Sequence, residues 1–513
     1  MRMPVITSKL SIVIASTLAV SSVSASESTV YDLWIRNGTV VDGTGAARVK
    51  ADVLVYSDAI VLVGPVDAGK VQAKSTVDAR DKWVVPGFID THAHGDATQQ
   101  SFVNFLAQGI TTVVLGQDGG SMSYAGDDKL PLSAGMRVID QQGSEVNVAT
   151  LTGHGTLREL AGVGNAPVPT ADQLKAMKDR LLADMAAGSY GLSFGLEYFP
   201  GRYSRVAEQK ALGDLVGQQG GIVMSHLRSE DFDKIGGAVD ELLQINAHVH
   251  VSHVKIVAGK RQEEADAVLT QLSRARAQGK RVTADVYPYL ASASSLHFLY
   301  PEWARGQQAY HDAVKNRRAE LEAHLRERVE ERNGAQAILF VDGPHAGKRL
   351  SELAAQLKKP YEKVIIDDIG YGGPAQAHFL MSDAVQDRFI YADHINICTD
   401  GSPESGHPRS AGSFIKILEE YVGSAPKMTL ERAVYKMSGL PAQTLGLDRG
   451  VLTAGKKADL LILDPGNLHS RATWSESMLR PSGVDAVYIN GKLAYKNGEP
   501  TGKHGKMLKR APR

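Results

Sequence analysis

Short apolar runs that end abruptly in polar residues recur through the middle of the chain: GFIDTHAH, GITTVVLG, GLSFGLEY, GIVMSH, AHVHVSHVK, RVTADVYPY and HINICTDG. Short unbroken apolar runs of this kind predict strands buried on both faces. Helical stretches separate them. Such alternation, sustained over residues 86–445, predicts a parallel α/β fold, in its simplest form a (β/α)8 TIM-like barrel. The two ends have a different texture. Residues 26–85 and 446–513 are short and strand-like, with Asn37-Gly38 and Asn490-Gly491 as turn dipeptides, and are predicted to be two parts of one small β-domain. Charged helix, clearest in AVKNRRAELEAHLRERVEERN, interrupts the alternation at about 301–360 and predicts an insertion over the barrel mouth, after a strand ending near Tyr289.

Residues 1–25 form an expected signal peptide. Arg2 and Lys9 precede the apolar stretch Leu10–Val20, and polar SSVSA follows, with small residues before a cleavage point near Ala25. The apolar stretch is short for a membrane span, which needs about 20 residues. A periplasmic or secreted protein with no membrane partner is expected. Lys and Arg total 57 and Asp and Glu total 57, so the chain carries no electrostatic footprint for nucleic acid. Cys398 is the only cysteine, which excludes an internal disulfide.

Chemistry collects at the predicted strand ends. His92 and His94 follow GFID at a spacing that projects both to one side of an extended segment. His226 follows GIVMS, His253 follows VHVS and Asp400 follows INICT. In a β/α barrel those ends share one mouth, where four histidines and an aspartate suit one or two Zn²⁺ ions.

These motifs carry a resemblance. PGFIDTHAHGD (86–96), GITTVV (109–114), GHGTLR (153–158), GLSFGLEYFPG (191–201), SHLR (225–228), SHVK (252–255), DVYPY (285–289), TDGS (399–402) and HPRSAGSF (407–414) stand in this order. The set resembles the N-acyl-D-amino-acid deacylase (D-aminoacylase) branch of the amidohydrolase superfamily. The resemblance implies a metallo-hydrolase barrel beside a small β-sandwich formed from both termini. It implies hydrolysis of the amide bond of N-acyl-D-amino acids, or related N-acyl amino acids, by metal-activated water. It places His92, His94, His226 and His253 on the metal. Asp400 falls on the residue that takes the water's proton and passes it to the leaving nitrogen. Lys255, Tyr287 and Arg409 fall on residues that hold the substrate's α-carboxylate, so the expected partner is a small molecule with a free carboxylate. Tyr198 falls beside the scissile carbonyl, and His154 and Arg158 fall in a motif read as structural.

One departure bears on the metal. The family reads GNCG after GITTVV, with the cysteine as a ligand, whereas this chain reads Gly116-Gln117-Asp118-Gly119. Glu197 is the expected replacement ligand, with Asp118 a weaker candidate and a carboxylated Lys255 a further one. Cys398 lies within a predicted strand and reads as core. An exported dipeptidase or prolidase-like amidohydrolase acting on peptides with a free C-terminal carboxylate is the alternative function. The segment ASASSLHFLYP is expected to line part of the pocket and carries no arginine for an acidic substrate side chain.

Overall fold

The computed structural model describes residues 30–122, 131–424 and 427–511. The expected signal peptide lies outside the described residues. No described helix is long and apolar enough to cross a membrane.

Eight stretches of parallel strand form the centre, in chain order Phe88–Asp90, Ile110–Leu115, Asn147–Thr150 (continued by Thr152–Gly153), Gly191–Gly195, Ile222–His226, His248–Val251, Val282–Val286 and Ile395–Ile397. Each pairs in parallel with the next. A parallel bridge between Ala93 and Gly401 links the last segment back to the first. There His94 N donates to Gly401 O at 2.8 Å and Asp400 N donates to His92 O at 2.9 Å. Nearly every residue of these strands is buried, which is why they read as apolar runs rather than as alternating patterns. Helices cover them from outside. The helix Ala171–Ala187, for example, starts at a reciprocal cap: the Thr170 side chain accepts from Gln173 N at 3.2 Å while Gln173 Oε1 accepts from Thr170 N at 2.9 Å.

The two chain ends share one nine-stranded sheet. They meet where Trp83–Pro86 pairs antiparallel with Leu460–Leu463. Asn490 and Gly491, at φ 51° and 77°, form the expected hairpin turn between Val484–Ile489 and Lys492–Lys496. Asn37-Gly38 does not form a turn. It sits inside the strand Val30–Val40 as a bulge, where the register against Val49–Tyr56 shifts between Ile35 and Gly38. Asn37 takes φ 62° there, its amide held by Asp52 and its side chain by Asp78. A Cβ on Gly38 would meet Val84 at 2.5 Å, so the bulge admits only glycine at this point.

The insertion is larger than the charged helices alone suggested. Ala291–Ser294, Gln376–Phe379 and Ile338–Phe340 form a three-stranded antiparallel sheet. The helices Gln307–Asn316, Arg318–Glu331 and Leu350–Leu357 pack around an apolar cluster reaching from Leu296 to Ile366. Small Ala and Ser residues make the strand Ala291–Ser294 and give no apolar run to read.

Candidate active site

Most of the expected site residues lie at or just beyond the C-terminal ends of the parallel strands, and Arg409 opens the helix Arg409–Lys416. Three of them turn the backbone into the left-handed region: Asp118, His253 and Asp400 have φ of 52°, 35° and 49°. That region is unfavourable for residues with a Cβ, and its recurrence here marks backbone held by its surroundings. Two buried carboxylates hold the backbone at His253 and beside Asp400. Asp285 accepts from His253 N and, at 2.6 Å, from Thr91 Oγ1. Asp90 accepts from His92 N and Thr399 N, both at 3.1 Å, and from Thr399 Oγ1. Gly195 makes room for the Asp118 loop, since a Cβ there would lie 2.1 Å from the Asp118 carbonyl oxygen.

Two groups of candidate metal ligands result: His92, Asp118, His253 and Asp400, and His226, Glu230 and His253. His253 belongs to both. Its Nε2 lies 3.5 Å from Asp118 Oδ2 and 3.0 Å from His226 Nδ1, while its Nδ1 lies 3.2 Å from Glu230 Oε1. His92 Nε2 lies 3.4 Å from Asp118 Oδ1, and His94 Nε2 lies 3.0 Å from Asp400 Oδ1 and 3.7 Å from Asp118 Oδ2. Both ring nitrogens of His92 and Oδ1 of Asp118 are buried without a hydrogen-bond partner among the described residues. Buried polar atoms left this way are costly unless something binds them, and imidazole nitrogens with carboxylate oxygens are the donors Zn²⁺ takes. The residues present therefore fit a metal. Burial disfavours the Asp118 and Asp400 carboxylates. The charges around them still hold both well below the usual carboxylate range, His92 and His253 acting on Asp118, Arg409 and His253 on Asp400.

Like His94, Glu197, the expected replacement ligand, stands outside both groups. Its Oε2 lies 3.1 Å from His226 Nε2, the ring nitrogen opposite the one facing His253, and its side chain is 26% exposed. Asp118, at the position of the missing cysteine, occupies the centre instead. Glu230 is the residue that sequence reasoning missed. It lies four residues past His226, and an acid shortly after a ligand-bearing strand end is the only signal that pointed to it. Burial raises its pKa, but Lys255 and then His226 outweigh that and bring it down to about 2.

Lys255 Nζ donates to Glu230 Oε1 at 2.7 Å and lies 2.8 Å from His253 Nδ1. Arg409 NH1 donates to Asp400 Oδ2 at 2.6 Å, while its Nε is buried without a partner. Both cations lie over the ring of Tyr287, at 5.8 and 4.8 Å from its centre, and the Tyr287 hydroxyl is buried without a partner among the described residues. The Tyr198 hydroxyl lies 3.2 Å from His226 Nδ1. Burial raises its pKa well above the ordinary value, so it remains a neutral donor. His94, Tyr198, Lys255, Asp400 and Arg409 all line one cavity of about 290 Å³. His154 and Arg158 lie apart from that cavity. His154 Nε2 is 2.7 Å from Glu208, and Arg158 donates to both Glu208 oxygens in a buried triad, as a structural motif would. Cys398 is fully buried in the core.

Comparison with known proteins follows the same lines. The model of the amidohydrolase family matches residues 381–494. An N-acyl-D-glutamate deacylase of Alcaligenes xylosoxydans xylosoxydans is 32% identical, over 93% of this chain and 96% of its own length. A D-aminoacylase of the same organism is 29% identical, over 95% and 99% respectively. The crystal structure of N-acyl-D-glutamate deacylase from Bordetella bronchiseptica, complexed with zinc and a phosphonate inhibitor that mimics the reaction's tetrahedral intermediate, superimposes with a TM-score of 0.81 at 31% identity, covering 94% of this chain and 100% of that one.

Proposed function

Because the chain belongs to the N-acyl-D-amino-acid deacylase (D-aminoacylase) family of the amidohydrolases, we propose that it is a metal-dependent hydrolase cleaving N-acyl-D-amino acids to a carboxylic acid and a free D-amino acid. The observation that carries this reading is one cavity lined by Asp118, His226, Glu230, His253 and Asp400 of the two ligand groups together with Lys255 and Arg409, whose charged ends both lie over the Tyr287 ring. One or two Zn²⁺ ions, held by His92, His94, Asp118, His226, Glu230, His253 and Asp400, would polarise the amide carbonyl and acidify water at this point.

The chain's own groups supply the rest. Arg409 uses one donor on Asp400 and keeps Nε free, Tyr287 keeps its hydroxyl free, and Lys255 lies beside them. Together they receive the α-carboxylate and fix the amide in place. Asp400, kept ionised, accepts the proton of the attacking water and returns it to the leaving nitrogen. The neutral Tyr198 hydroxyl donates toward the scissile carbonyl oxygen.

The parallel pairings, followed around from Phe88 to Ile397, support a (β/α)8 barrel over 86–445, and the shared terminal sheet supports a β-sandwich from residues 26–85 and 446–513. The opening residues support export to the periplasm or beyond.

A panel of N-acetyl-D-, N-acetyl-L-amino acids and dipeptides, assayed with added Zn²⁺, tests the function. Release of free D-amino acid is the expected result. Turnover confined to dipeptides would establish the peptidase reading instead.

A further inference from the structure

Three long cations line the cavity: Lys255, Arg409 and Arg332. The first two are engaged by carboxylates at 2.7 and 2.6 Å. Arg332 differs. It follows the helix Arg318–Glu331 of the inserted unit, is only 6% exposed, and its Nε has no hydrogen-bond partner among the described residues. Its nearest carboxylate is Asp231, 3.7 Å from NH1, and that carboxylate is already held by Arg328, whose NH2 donates to both of its oxygens at 3.4 and 3.2 Å.

The cavity's other acids are committed as well. Glu230 is held by Lys255, Asp118 and Asp400 lie among the histidines, and Glu197 faces His226. A guanidinium buried with unused donors is costly, and an incoming carboxylate offsets that cost. The wall beside Arg332's cavity includes the small residues Ser292, Ala293 and Ser294, which leave room for a substrate side chain.

Resting on the amide-hydrolase reading above, we propose that Arg332 binds a carboxylate on the substrate's side chain, so that the preferred substrates are N-acyl-D-amino acids with acidic side chains. ASASSLHFLYP itself carries no arginine; Arg332 comes instead from the insertion, more than thirty residues farther along the chain. Phe298 and Val257 also line the cavity and frame the competing outcome, a preference for apolar side chains.

The test compares kcat/KM of the Zn²⁺-loaded full chain on N-acetyl derivatives of D-glutamate and D-glutamine, D-aspartate and D-asparagine, and D-leucine. Each acid and its amide have the same shape and differ in charge. At least one acid is expected to exceed its own amide by roughly tenfold or more, the worth of a charge-assisted hydrogen bond. Arg332→Met should lower turnover of that acid by about 10- to 100-fold and lower that of the amide several-fold less, because a guanidinium binds a neutral carbonyl more weakly than a carboxylate. Arg332→Lys should restore part of the preference, and circular dichroism checks that both variants fold. Equal turnover of acid and amide by the parent, a preference for leucine over both acids, or parallel losses on acid and amide in both variants would overturn the assignment while leaving the deacylase reading intact. Failure to hydrolyse any of the D-substrates would overturn that reading, and this assignment with it.

Discussion

Asp118 Oδ2 lies 3.5 Å from His253 Nε2, joining the loop after the second parallel strand to the end of the sixth across the centre of the cavity. The chain thus places a carboxylate where the motif expected from the resemblance has its cysteine. Both are anionic donors, so charge is kept while the softer ligand is lost.

Asp118→Ala should weaken Zn²⁺ binding by at least about 10- to 100-fold, the range already seen for loss of a group that only supports a ligand. Glu197→Gln should leave bound metal unchanged. Metal per chain, measured after gel filtration, separates the two. Loss of metal in the Glu197 variant and not in the Asp118 variant would reverse the ligand assignment.

Asp400→Asn keeps the side chain's size but cannot accept the proton. Its kcat should fall by about 10²- to 10⁴-fold with the fold intact. A variant within twofold of the parent would remove Asp400 from proton transfer.

Tyr287→Phe deletes a hydroxyl that bonds to none of the described residues, so the melting temperature should hardly move. If that hydroxyl receives the α-carboxylate, kcat/KM for the free acid should drop by about tenfold or more, with little change for its methyl ester. Equal losses on acid and ester would refute the role.

Glu208→Ala leaves Arg158, fully buried, without its counter-charge. Breaking a buried pair from one side costs about 3–5 kcal/mol. Urea denaturation should show that loss, while KM of the folded fraction stays unchanged, since the triad lies apart from the cavity.

Lys436 carries a pH signature remote from the site. It is 2% exposed and donates to the carbonyls of Ala392 and Ile395, and burial lowers its pKa to about 7. An unfolded lysine titrates near 10.4, roughly its model-peptide value. Between those values the unfolded chain binds more protons than the folded one, so this group's contribution to stability rises with pH from about 7 to about 10. The stability of the parent relative to Lys436→Met should therefore increase across that window and be flat below it. A flat difference from pH 7 to 10 would contradict it.

The strand succession was legible because burial on both faces writes itself as local apolar runs, and the runs ended where chemistry begins. His92, His94, His226, His253 and Asp400 were found that way. Asn490-Gly491 was legible as a turn. Asn37-Gly38 was not legible as a bulge, because a left-handed Asn before Gly serves both and only the pairing with Val49–Tyr56 distinguishes them.

The sequence by itself determined the α/β succession, the pairing texture of the two ends, and the histidines and aspartate at the strand ends, since all of these depend on neighbours within a few residues. Tertiary structure decided which acids face inward. Asp118 reaches the centre through a left-handed backbone turn accommodated by Gly195, whereas Glu197 faces the far nitrogen of His226. It also decided that Glu230 pairs with Lys255 and that Arg332 comes into the cavity from the inserted helix. Those outcomes depend on where loops distant in sequence stop against one another, and no local pattern of hydrophobic and polar residues encodes that distance.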